Sequence, residues 1–204
     1  MISEKHRFIF IHVPKTAGNS IQNVLRNYSE DELVSSLAHQ DGVERFSVRN
    51  RKYKTHKHSM LSDYKAAIPS ELHDSLFKFA TIRNPWERMV SLFFSPAQGR
   101  TEWTRAEFLE LIHGAIPLRN WICAEPDAHQ DLDRDIDVLM RFERIDKDFE
   151  TVCRKLNIQH DSLRVRNRSV HAHYSTYYDA ELKDLVGQRF ADEIAFGDYH
   201  FEKP

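Results

Sequence analysis

Lys15, Thr16, Gly18, Asn19 and Ser20 follow an apolar run from Phe8 to Val13 that only His12 interrupts, in the stretch FIFIHVPKTAGNS. A cation, two hydroxyls, an amide and a small residue that exposes its backbone stand where a strand hands over to a helix. A helix N-terminus carries unpaired N–H groups and the positive end of the helix dipole, so this loop suits an anion. A phosphate- or sulfate-bearing ligand is the first expectation. The nucleotide-binding pattern GxxxxGK[ST] can align its last two positions with Lys15 and Thr16, but Ile9 and Pro14 then occupy its glycine positions. An ordinary ATPase or GTPase is set aside on that ground. The alternative for the loop alone is a junction capped by Asn19 or Ser20, with Lys15 in solvent.

A second set of anion-matching groups lies in TIRNPWERMVS, Thr81–Ser91. Arg83 leaves a strand just before a helix, and Arg88 and Ser91 share a helix face at i, i+3 spacing. Arginine offers a planar fork of donors matched to phosphate, and serine adds a hydroxyl. His56 and His58 flank Lys57, and on a strand both rings would point to one face. Such a pair can serve as a proton acceptor and its helper, since imidazole titrates near neutrality. It can also bind zinc with Asp63 or His73 as third ligand, and His171 and His173 repeat the spacing. A third option is solvated histidines in a basic stretch, where Lys52, Lys54 and Lys57 would attract an acidic saccharide. Trp86, Trp103 and Trp121 can stack on a sugar or adenine, or fill core.

These residues need strands to deliver them and helices to follow. Arg7–Val13 reads as a buried strand and Ser20–Tyr28 as the helix after it. Glu30–Arg51 is polar and aperiodic, and reads as loop with a short helix. Tyr53–His58 reads as a short polar strand, Asp63–Ala67 as a helix stopped near Pro69, and Leu76–Ile82 as a strand. Asn84, Pro85 and Glu87 form a helix start, with a cap, a proline at the first position and a capping-box glutamate. That helix is expected over Pro85–Phe94. Thr104 caps a helix to His113. Asp137–Phe142 reads as a strand, Asp146–Leu156 as a helix, and Glu181–Phe196 as one or two helices. Strands alternating with helices imply an α/β fold with a central parallel sheet, and ligands bind beyond the carboxyl ends of such strands. The loops Pro14–Asn19, His56–His58 and Arg83–Asn84 should then face one crevice.

The 204 residues suit a single domain, 1–204, with a sizeable core. A net charge of −2 argues against general nucleic-acid binding. The N-terminal apolar run is too short for a signal peptide or membrane span. Cys123 and Cys153 form no disulfide framework or zinc pattern, which fits a reducing compartment.

The two loops in order, PKTAGNS and RNPWERMVS, resemble the sulfotransferases that use 3′-phosphoadenosine-5′-phosphosulfate (PAPS), closest to the carbohydrate branch. The likeness extends to Val138–Leu156 and to Asn167–Phe201. It implies a three-layer, P-loop-like sulfotransferase fold with a central parallel sheet flanked by helices. By position, Lys15, Thr16, Ala17, Gly18, Asn19 and Ser20 would line the 5′-phosphosulfate site, with Asn19 where a threonine is usual. Arg83 and Ser91 would hold the 3′-phosphate. Asn167, Ser169 and Tyr174 would belong to a closing loop, near the alternating Arg164, Arg166 and Arg168. The His-x-His element resembles that of uronyl 2-O-sulfotransferases, which implies His58 as the base and His56 as helper or acceptor contact. Lys15 would stabilise the leaving oxygen. The implied reaction carries a sulfuryl group from PAPS to a hydroxyl acceptor, most readily a carbohydrate, and releases adenosine 3′,5′-bisphosphate without a metal. Golgi relatives carry a membrane anchor, so a soluble, cytoplasmic, bacterial enzyme is expected here. An atypical nucleotide-dependent kinase and a non-catalytic bisphosphate- or glycan-binding protein are the alternatives.

Overall fold

The computed structural model describes residues 1–35, 46–95, 98–100, 102–126, 130–159, 163 and 171–203. The central sheet forms around two short buried segments, the first wholly apolar and the second apolar except at Lys78 and Thr81. β2 (Phe8–Ile11) is buried throughout, and β5 (Phe77–Ile82) at all but its first residue. Strands covered on both faces read this way. The sheet order is β1 (Ile2–Ser3), β2, β5, β6 (Val138–Arg141). The pairs β2–β5 and β5–β6 are parallel, while β1 adds an antiparallel edge that the sequence reading did not contain.

Side-chain alternation then builds two cores. Phe8, Phe10, Phe79 and Met140 point to one face, against α1 (Gly18–Leu25) and α7 (Ile145–Leu156). Ile9, Ile11, Ala80 and Ile82 point to the other. There they meet α2 (Leu61–Ala67), α4 (Pro85–Phe93), α5 (Arg105–Gly114), α6 (Leu118–Ile122) and α8 (Ala180–Arg189). Thr104 caps α5 as expected, accepting from Glu107 N–H. The short helices α3 (Ser70–Ser75) and α9 (Ala191–Gly197) complete the set among the described residues. Both cysteines are buried and free.

Two expectations are corrected. Glu30–Arg51 contains an antiparallel hairpin, β3 (Glu32–Ser35) with β4 (Phe46–Arg49). Its short β4 alternates buried and exposed residues, and Phe46 and Val48 pack into the α1 side of the core. Tyr53–His58 is not a strand. Asn50 Oδ1 accepts from Tyr53 N–H at 2.9 Å, Asn50 N–H donates to the Thr55 carbonyl at 2.8 Å, and Lys54 is left-handed at φ 56°. These bonds close a turn, and a single bridge between Arg49 and His56 is the only pairing.

Arg88 also departs from the reading. It faces the core, where its Nη2 lies 3.3 Å from both carboxylate oxygens of Glu193, and Leu118 N–H donates to the same group at 2.7 Å. Burial pushes the Glu193 carboxyl up and Arg88 opposes that shift. Removing one partner of a buried pair strands the other charge, so Glu193→Ala is expected to cost about 3–5 kcal/mol in urea unfolding. A loss within experimental error would show that Arg88 finds water instead.

Candidate active site

The first loop is tightly wound. β2 ends at Ile11, and both Lys15 and Ala17 adopt left-handed backbone at φ 69°. Two non-glycine residues in that region within one turn store strain, a pattern found at ligand-binding loops. Thr16 Oγ1 donates to the Val13 carbonyl at 2.8 Å and so spends its proton on closing the loop. The Ala17 carbonyl accepts from Ser20 and Ile21 N–H as α1 begins. No side chain caps α1 and no carboxylate stands in its first turn. A helix start left this way is suited to an anionic ligand.

The second loop is braced against the first. Asn84 Oδ1 accepts from Trp86 N–H and Glu87 N–H, and Pro85 opens α4, as the sequence indicated. Glu143, just past β6, accepts from Asn84 N–H at 2.9 Å and from the Tyr199 hydroxyl at 3.0 Å. Arg83 is thereby held at the carboxyl end of β5. Its Nη1 donates to the Lys15 carbonyl at 3.0 Å, its Nη2 pairs with Glu87 at 2.8 Å, and its plane rests 3.9 Å from the Phe142 ring. Its Nε is buried without a partner. Ser91 is buried on α4.

The histidines separate. His58 Nδ1 lies 3.1 Å from the His12 carbonyl, and the two rings pack at 4.4 Å, tilted by 39°. Trp121 meets His58 edge-on at 6.2 Å. His58 keeps an exposed edge, yet the burial of its covered face lowers its pKa, while the bond to the His12 carbonyl opposes this. A carbonyl can only accept, so Nδ1 carries the proton and Nε2 presents its lone pair. His56 is exposed and lines an open groove of about 400 Å³ with Arg49, Arg51 and Lys54. Because residues 56–58 are in a turn, the shared-face argument for the pair fails. Lys57 folds back to the Phe46 carbonyl at 2.7 Å, and burial lowers its pKa to about 8.

Arg83 and His58 thus flank the Lys15 loop from two sides. Asn167, Ser169, Arg164, Arg166 and Arg168 lie outside the described residues. Tyr174 uses its hydroxyl to accept from Glu202 N–H at 2.6 Å and packs edge-on against Phe201. Trp86 is core, donating to the Lys183 carbonyl at 3.1 Å. Among the described residues, no three His, Cys, Asp or Glu side chains converge as a metal site. Sequence reasoning missed His12 as part of this region, whereas Trp121 was among the tryptophans read as stacking on a sugar or adenine or filling core, and Glu143 was read as pairing with a basic neighbour or assisting the base from near the cleft. His12 did leave a signal, a lone polar ring inside a fully buried strand run.

An uncapped helix start, an arginine and an oriented imidazole meet beyond the carboxyl ends of β2 and β5, an arrangement suited to an anionic ligand. The chain belongs to the sulfotransferase family, whose profile matches residues 1–191. It is a sulfotransferase enzyme, and sulfuryl transfer is its reaction class. The crystal structure of mouse sulfotransferase SULT7A1 complexed with PAP is similar in fold, with a TM-score of 0.53 at 15% identity, covering 97% of this chain and 87% of that one. No curated protein sequence matches the chain. The α/β architecture drawn from the sequence is that of the relative, and the kinase and pure-binding alternatives give way.

Proposed function

We propose that residues 1–204 act as one domain that moves a sulfuryl group from PAPS to a carbohydrate hydroxyl, with His58 as the base. One observation carries this reading. Two main-chain carbonyls of the same loop receive the two key side chains, His12 O from His58 and Lys15 O from Arg83. The donor's features find matching groups. The open start of α1 suits the 5′-phosphosulfate, and Arg83 Nε, without a partner among the described residues, is a donor suited to an anion. Glu87 opposes a 3′-phosphate at Arg83, but it is part-exposed, and such pairs are worth about 1 kcal/mol or less.

His58 Nε2 takes the proton of the acceptor hydroxyl while that oxygen attacks sulfur. The bond between sulfur and the 5′-phosphate oxygen breaks on the far side, and adenosine 3′,5′-bisphosphate leaves with the charge. Lys15 and the first N–H groups of α1 stabilise that charge, as preorganised cations do in phosphoryl transfer, so that no metal is required. Thr16, Ala17, Gly18 and Ser20 shape the cradle, and Ser91 holds the 3′-phosphate with Arg83. His56 belongs to the acceptor side, in the groove with Arg49, Arg51 and Lys54.

Among the described residues no helix is long and apolar enough to cross a membrane. A soluble, cytoplasmic, bacterial setting is part of the same proposal.

The test is transfer from ³⁵S-labelled PAPS to a panel of oligosaccharides, phenols and simple alcohols. Label in an oligosaccharide is the expected result. Label only in phenols or alcohols would remove the carbohydrate acceptor and leave the sulfuryl donor standing.

A further inference from the structure

The carbonyl of His12 holds His58, while its ring has no part in the proposed transfer. That ring is buried, the Gln22 side chain hydrogen-bonds to it, and its Nδ1 has no partner among the described residues. Burial holds its pKa well below the ordinary imidazole value and His58 beside it adds to this, while the hydrogen bond with Gln22 opposes it. A buried polar ring with an unmet nitrogen costs more than an aliphatic side chain in the same strand position. Its placement explains what it contributes.

On one side the ring lies directly under the start of α1. A Cβ added at Gly18 would fall 1.8 Å from His12 Cδ2 and 2.2 Å from Nε2, so only glycine fits there. Gly18 is not left-handed, and contact with this ring is what excludes a side chain. On another side the ring packs on His58 at 4.4 Å. Phe10 backs it at 6.3 Å, nearly parallel at 16°. From α1, the buried Gln22 donates to the Lys57 carbonyl at 3.4 Å, so the helix also grips the segment that carries His58.

We propose that His12 is a positioning residue, its ring setting the spacing between the anion loop at Gly18 and the imidazole of His58. This rests on His58 being the base. Interiors are close-packed, so a change at Gly18 displaces the ring and passes to His58. A misplacement of about 1 Å in a reacting group costs about 10²-fold in rate.

The experiment compares the wild type, Gly18→Ala, His12→Ala and the double variant. ¹⁵N spectra of the imidazole rings read the His58 tautomer without donor or acceptor, and transfer assays read kcat. In the wild type, His58 is expected in the Nδ1–H form. Gly18→Ala is expected to mix the tautomers and lower kcat about 10²-fold. The double variant, with room made for the new methyl, is expected to recover to the level of His12→Ala alone. That non-additivity is the signature of contact.

If the two single losses simply multiply, or if His58 keeps its tautomer and kcat in Gly18→Ala, the positioning role is overturned and the base is untouched. A wild type with the expected tautomer but no transfer overturns the base reading and the positioning role with it. Circular dichroism checks folding. Should Gly18→Ala not fold, His12→Asn decides. It is expected to lower kcat about 10²-fold while bisphosphate affinity stays within about threefold. An unchanged kcat there overturns the proposal.

Discussion

Lys15→Ala is expected to lower sulfuryl transfer by about 10²–10³-fold, the usual cost of removing one preorganised charge stabiliser. The loop should survive the change. Its course is held by main-chain bonds, Arg83 Nη1 to the Lys15 carbonyl at 3.0 Å and Thr16 Oγ1 to the Val13 carbonyl at 2.8 Å. Lysine already occupies a left-handed position there, so alanine brings no new backbone strain. The loss should therefore appear in kcat at saturating PAPS, with a smaller weakening of bisphosphate binding and an unchanged melting temperature. Equal turnover in Lys15→Ala would place charge stabilisation elsewhere.

His58→Ala should cost about 10²–10⁴-fold in turnover, the range for a positioned general base, and leave bisphosphate affinity intact. The pH profile supplies a second reading. The base works neutral, so activity falls as acid protonates it. Burial against His12 lowers the His58 pKa, which places the acid limb of kcat/KM below pH 6.5. Above that limb the wild-type rate is flat, and in His58→Ala the limb disappears. A limb above pH 6.5, or one that persists in the variant, assigns the proton transfer to another group.

Local signals carried most of the scaffold. The apolar runs at Phe8–Ile11 and Phe77–Ile82 and the cap at Asn84 depend on near neighbours in the chain, and each stands within a residue or two of its expected bounds. The β3–β4 hairpin escaped because four-residue strands with exposed polar faces carry little periodicity. The turn at Asn50–Thr55 escaped because its bonds, and the positive φ of Lys54, outweighed an alternating pattern that resembled a strand. Arg88 looked like a second anion ligand, and its partner Glu193 lies more than a hundred residues on. The site residues followed the same rule. The Lys15 loop and Arg83 were legible by type and spacing. The joining of Arg83 to the Lys15 carbonyl, and of His58 to His12, depends on segments from distant parts of the chain lying side by side.

Calorimetric titration with adenosine 3′,5′-bisphosphate, beside ATP and with or without Mg²⁺, tests the two-loop site most directly. Tight binding of the bisphosphate that ignores Mg²⁺ and is weakened in Arg83→Ala is the expected result. No binding of the bisphosphate, or a preference for ATP with Mg²⁺, would contradict it.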